Sequence, residues 1–139
     1  MIRAAVLYFS KPSARRSLAG LAEALAQGLK KQGAQVDVID GIKEREIKLT
    51  GYHYLAVGCD VRSILKGVLP PELASALSHS GIVAGKKTFA FVQAAPLGAS
   101  ATLLRLMKAL EHEGMVVRYS EVLKKPVDAL AIGERLKVE

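Results

Sequence analysis

A chain of 139 residues and 14.9 kDa, half of it hydrophobic, has the size and composition of one domain, 1–139, with a continuous core. No apolar run approaches the roughly 20 residues that a membrane-spanning helix needs, "MIRAAVLYFSK" lacks the basic segment and cleavage site of a signal peptide, and a lone cysteine, Cys59, excludes an internal disulfide or a cysteine metal cluster. The expectation is a soluble, cytoplasmic protein whose formal net charge of +7 favours acidic partners or a nucleic-acid surface at the level of encounter.

In chain order, "IRAAVLYF" is a run suited to a buried strand, and it stops at the loop "SKPSAR". A helix from about Ala14 to Gln32 then carries Leu18, Leu21, Leu25 and Leu29 on one stripe, with Ser13 as N-cap and Gly33 just past its end. "AQVDVID" is the second strand, followed by "GIKEREIKLTG", a connection with at most a short helical turn. Tyr54 to Gly58 is the third strand, and "CDVRSILKGVL" is irregular. Pro70 and Pro71 introduce a helix in "ELASALSHSG" that stops before Gly81.

"KKTFAFVQ" is the fourth strand, and "ASATLLRLMKALEHEG" is a helix with Leu103, Leu106, Met107 and Leu110 on its apolar stripe. "MVVRY" is the fifth strand and "VDALAIGERLK" the last helix. Five strands alternating with helices imply a parallel sheet covered on both faces, a three-layer α/β/α sandwich, because parallel neighbours need crossover connections. In such a sheet ligands bind outside the carboxyl ends of the strands, here at "SKPSAR", "CDVRSILKG" and "AAPLGASA". The first of these opens a helix, whose free N–H groups and dipole favour an anion.

With "VLYFS", the leucine-striped helix, "YLAVGCDVRSILKGVLPPEL", "VAGKKTFAFVQ", "LLRLMKALEHEGMVV" and "GERLK" arriving in this order and spacing, the chain resembles the flavodoxin-like family over nearly its whole length. The resemblance implies strand order 2-1-3-4-5, flavin mononucleotide (FMN) as cofactor and electron transfer as function. It implies phosphate contacts from Ser10, Lys11, Ser13, Ala14, Arg15 and Ser17. The flavin ring would lie between Gly58, Cys59, Asp60, Val61 and Arg62 on one side and Ala94, Ala95, Pro96, Leu97 and Gly98 on the other. The family's phosphate loop reads Ser or Thr, any residue, Thr-Gly-Asn-Thr. Here Ser10 matches, but Pro12, Ser13, Ala14 and Arg15 replace the rest, and no aromatic residue stands in either ring loop.

Three functions therefore stand side by side: a flavin electron-transfer protein, placed slightly ahead; a flavodoxin-like binding or regulatory module that has lost FMN; and a binder of another phosphate ligand or of nucleic acid. A basic chain of the first or second kind would dock on an acidic redox or regulatory protein. The basic pairs Arg15–Arg16, Lys30–Lys31, Lys86–Lys87 and Lys124–Lys125 are scattered along the sequence, which suits solvated faces better than a nucleic-acid groove. Asp60 is expected to cap a loop or lie exposed, Arg15 to be exposed, and Cys59 to be a buried, structural thiol. The dispersed His53, His79 and His112 give no metal site, and no catalytic acid, base or nucleophile is assigned.

Overall fold

The computed structural model describes residues 1–139. Its elements are β1 (Arg3–Phe9), α1 (Arg15–Lys31), β2 (Gln35–Asp40), β3 (Tyr54–Cys59), α2 (Pro71–Ser78), β4 (Lys87–Gln93), α3 (Ala99–His112), β5 (Val116–Leu123) and α4 (Pro126–Arg135). The five strands form one sheet in the order β2-β1-β3-β4-β5, and every neighbouring pair is parallel. This is the expected three-layer architecture.

The burial of each strand follows from its place in the sheet. β3 is buried at all six positions and β1 at all but Arg3, because helices cover both faces of the centre. The outer strands β2 and β5 keep charged or polar residues such as Asp37, Arg118 and Glu121 at or near the surface, which blunts the sheet edges. One core lies between the sheet and α1 with α4, and includes Val6, Leu25, Tyr54, Phe89 and Phe91. The other lies towards α2 and α3, and includes Leu7, Val57, Leu73, Val92 and Leu106.

The leucine stripe of α1 is fully committed to the first core: Leu18, Leu21, Leu25 and Leu29 are all buried. Its partner α4 approaches unusually closely at two glycines. A Cβ on Gly28 would sit 2.3 Å from the carbonyl oxygen of Leu130, and one on Gly133 2.4 Å from that of Leu25. The two helix backbones are therefore in direct contact. Gln32 reinforces the junction, its Nε2 donating to the carbonyls of Gly133 and Leu136 at 2.6 and 2.9 Å.

The last helix ends at Arg135 and does not reach Lys137 as the sequence reading has it, and two further boundaries differ for local reasons. Ser13 is not the N-cap of α1: Pro12–Ala14 form a 3-10 turn that runs straight into the helix, so Ala14 takes the cap position with no side-chain cap. β5 continues beyond Tyr119 to Leu123, because Ser120–Leu123 stay in register with Ala90–Gln93. Gly33 and Gly114 follow the ends of α1 and α3 with φ of 95° and 91°, as helix-stopping glycines do.

Candidate functional site

The loops after β1, β3 and β4 leave the sheet at its carboxyl end and are tied directly to one another. The Lys11 backbone N–H donates to Asp60 Oδ2 at 2.8 Å, joining the first loop to the second. The second meets the third at Gly98, where φ is 91° and a Cβ would lie 2.1 Å from the Ser63 carbonyl oxygen. The third returns to the first through Gln93, whose Nε2 donates to Ser17 Oγ at 2.5 Å. The fold thus brings Ser10 to Ser17, Cys59 to Arg62 and Ala94 to Gly98 to one end of the molecule.

Within this cluster the residues have distinct environments. Asp60 is buried, not exposed, and caps the first loop; Arg62 Nε donates to its other oxygen at 3.1 Å, so its charge is neutralised internally. Cys59 is buried, and its thiol is pushed up to about 12, first by burial and then by Asp60, with Arg62 opposing. A thiol so placed is a poor nucleophile at neutral pH. Gly58 lies inside β3, where a side chain would collide with the Phe91 ring at 2.2 Å. Arg15, expected exposed, is half-buried with Nε 3.5 Å from Asp40 Oδ2, an ion pair that ties the start of α1 to the end of β2.

The first loop is wound tightly. Ala14 N–H donates to the Lys11 carbonyl at 3.0 Å and Arg15 N–H to the Pro12 carbonyl, Pro12 has no N–H, and Lys11 N–H is held by Asp60. Of the backbone from Lys11 to Arg15, only the Ser13 N–H is left to meet a ligand. A loop of this shape does not fit an FMN phosphate wrapped in the way the resemblance implies. Ser10 keeps its hydroxyl there, buried and without a partner.

Charge is the feature that the linear sequence conceals. Segments 10–17, 60–71, 94–105 and 124–125 all lie at or beside this end, and they hold eight cations (Lys11, Arg15, Arg16, Arg62, Lys66, Arg105, Lys124 and Lys125) against one carboxylate, the buried Asp60. Asp40, which pairs with Arg15, and Glu72 and Asp128 in the first turns of α2 and α4 stand at the same end, so these loops are rich in cations and their excess is partly offset there. Arg105 belongs to the group because a Cβ on Gly67 would touch its side chain. Two of the cations, Arg15 and Arg16, occupy the first turn of α1, where the helix dipole disfavours positive charge and no acidic residue of the turn compensates, although Arg15 reaches across to Asp40. Among them stand exposed apolar side chains: Leu65 is 82% exposed, Ile64 64% and Leu97 60%.

The sequence reading placed Arg16 and residues 59–67 at this end without singling out Ile64, Leu65 or Lys66, and it missed Gln93, Arg105 and the Lys124–Lys125 pair as parts of this face. A signal was present: residues 1–22, 61–71 and 94–110 contain no Asp or Glu at all. No group of three or more metal-ligating side chains occurs in the structure, and no helix is long and apolar enough to cross a membrane.

No protein-family model matches the sequence. No curated protein matches it either. Solved structures do. A flavodoxin from the domain Archaea superposes with a TM-score of 0.68 at 22% identity, covering 96% of this chain and 92% of that one. Oxidised flavodoxin 1 from Bacillus cereus gives 0.68 at 18% identity, covering 96% and 99%. Two-electron reduced flavodoxin from Megasphaera elsdenii gives 0.67 at 14%, covering 94% and 96%. At these identities the shared property is the architecture, and the chain has the flavodoxin-like fold from end to end.

Proposed function

We propose that this chain is a flavodoxin-like docking module that works without FMN and engages an acidic protein through the carboxyl end of its sheet. The observation that carries the reading is the excess of cations over carboxylates in the loops at that end, around exposed Ile64, Leu65 and Leu97. Cations around an apolar centre suit a protein interface, in which charge steers encounter and apolar contact holds the complex. Nucleic acid is the weaker candidate, since these segments offer no aromatic side chain on which a base could stack. The tightly wound first loop and the absence of aromatic residues from both ring loops support the loss of the flavin.

Binding of a fluorescent polyglutamate peptide tests the docking face. Lys66→Glu with Arg105→Glu should weaken binding far more than Lys30→Glu with Lys31→Glu, which alters the net charge equally at the other end of α1. Equal losses would reduce the effect to net charge and remove the face from the account.

A second reading has one specific observation in its favour. The orphaned hydroxyl of Ser10, with the Ser13 N–H and the Arg16 side chain near the start of α1, suits a small phosphate group held differently from that of FMN. Protection of the protein against thermal unfolding by inorganic phosphate, lost in Ser10→Ala, is the result that reading requires.

A further inference from the structure

A second site lies on the other side of the molecule, at the opposite end of the strands. β5 carries a bulge: Thr88 pairs with Val117 and Phe89 with Tyr119, so Arg118 is an extra residue that bends the edge strand. On the same face α4 ends at Arg135, and the chain continues as non-helical backbone through Leu136 and Lys137. Between the bulged strand and this segment is a cavity of about 340 Å³ lined by Tyr54, Tyr119, Ile132 and Leu136, with Arg118, Arg135 and Lys137 as its cations and Glu139 as its one carboxylate.

Two features mark the cavity as more than a gap in the packing. Tyr119 continues an aromatic row, its ring stacked on Phe89 at 5.7 Å, and Phe89 in turn on Phe91 at 5.8 Å. Tyr54 is 1% exposed, and burial alone raises its pKa, with no hydrogen-bonding or charged neighbour contributing. Its hydroxyl makes no hydrogen bond within the protein and is free to donate to a group in the cavity. The volume is at the lower end of the range of small-molecule sites, and aromatic walls with convergent cations are what a flat anion requires.

We propose that this cavity binds a small aromatic anion, an aryl carboxylate or aryl phosphate, with its ring against Tyr119, its acid group between Arg118 and Arg135, and the Tyr54 hydroxyl donating to it. The site is independent of the docking face, since Tyr54 opens β3 whereas Cys59 closes it and Asp60 follows.

The test is a titration of the isotope-labelled protein with phenyl phosphate and with benzoate, followed by amide chemical shifts. The account requires saturable shifts at Arg118, Tyr119, Ile132 and Leu136. It also requires at least about a tenfold loss of affinity in Arg118→Ala with Arg135→Ala, because both charge-assisted contacts are removed. Tyr54→Phe removes a hydroxyl that holds nothing in the free protein, so it should weaken binding while the spectrum of the free protein stays that of a folded chain. Which probe binds tighter distinguishes carboxylate from phosphate. No saturable shift up to about 10 mM, where even millimolar affinity would show, overturns the proposal. So do shifts confined to residues 11–16 and 62–66, or variants that bind like the parent.

Discussion

Replacing Gly28 with alanine is the most informative perturbation of the fold, because a single methyl group must be placed where two backbones touch. The new Cβ would lie 2.3 Å from the Leu130 carbonyl oxygen, 2.8 Å from the Glu134 nitrogen and 2.8 Å from the Gly133 Cα. All three are main-chain atoms of α4, so no side-chain rotation relieves the clash, and α4 must move off by about 1 Å across a close-packed interface. Overpacking of this kind costs about 3 kcal/mol, at the upper end of its usual range. Alanine returns about 1 kcal/mol through its higher helix propensity. The net loss of about 2 kcal/mol corresponds to a fall in Tm of about 7 °C for a chain of this length. The matched control is Gly20→Ala in the same helix, where a Cβ meets nothing within 4 Å; it should stabilise by up to about 1 kcal/mol. Urea unfolding of both variants measures the difference. A Gly28→Ala protein as stable as the parent would refute the backbone contact between α1 and α4.

Further outcomes follow from the strand-end loops. Asp60→Ala should cost about 1–3 kcal/mol in urea unfolding, because the Lys11 N–H loses its acceptor and Arg62 its counter-charge; a neutral result would mean that Asp60 does not hold the first loop. Cys59 should react with a disulfide reagent at neutral pH only on unfolding, so labelling of the native protein as fast as that of the unfolded chain would contradict its burial. Its ionisation also sets a sign. With the thiol raised from 9.0 to about 12, the folded chain holds a proton that the unfolded chain releases, so stability is retained below pH 9 and falls as pH rises towards 12. Tyr54, also raised by burial, acts in the same direction. Stability that rises over that interval would reverse the assignment.

Much of the fold was legible because each element carries its own signal. The leucine spacing of α1, the uninterrupted runs of β1 and β3, and Gly33 and Gly114 after their helices all act locally. The close approach of Gly28 and Gly133 was not legible, since a glycine within a helical pattern looks the same whether its missing side chain makes room for a neighbour or faces open space, as at Gly20. The site was half legible. Topology alone placed the ligand end, and the loss of the Thr-Gly-Asn-Thr pattern was visible as residues. What the loop does instead, with Asp60 taking the Lys11 N–H and the 3-10 turn consuming two more donors, depends on contacts between residues 49 apart and on backbone winding. The basic pairs look scattered in sequence, and only the parallel topology shows that Arg15–Arg16 and Lys124–Lys125 share one end while Lys30–Lys31 and Lys86–Lys87 lie at the other.

On the proposed function, the strand-end loops have exchanged a flavin site for a docking face. Titration of the purified protein with FMN, followed by flavin fluorescence, tests it most directly. A colourless protein and no saturable quenching are expected, because the first loop leaves only the Ser13 N–H free and neither ring loop offers an aromatic side chain. A yellow protein as purified, or one-to-one quenching with micromolar or tighter affinity, would contradict it and restore electron transfer as the function.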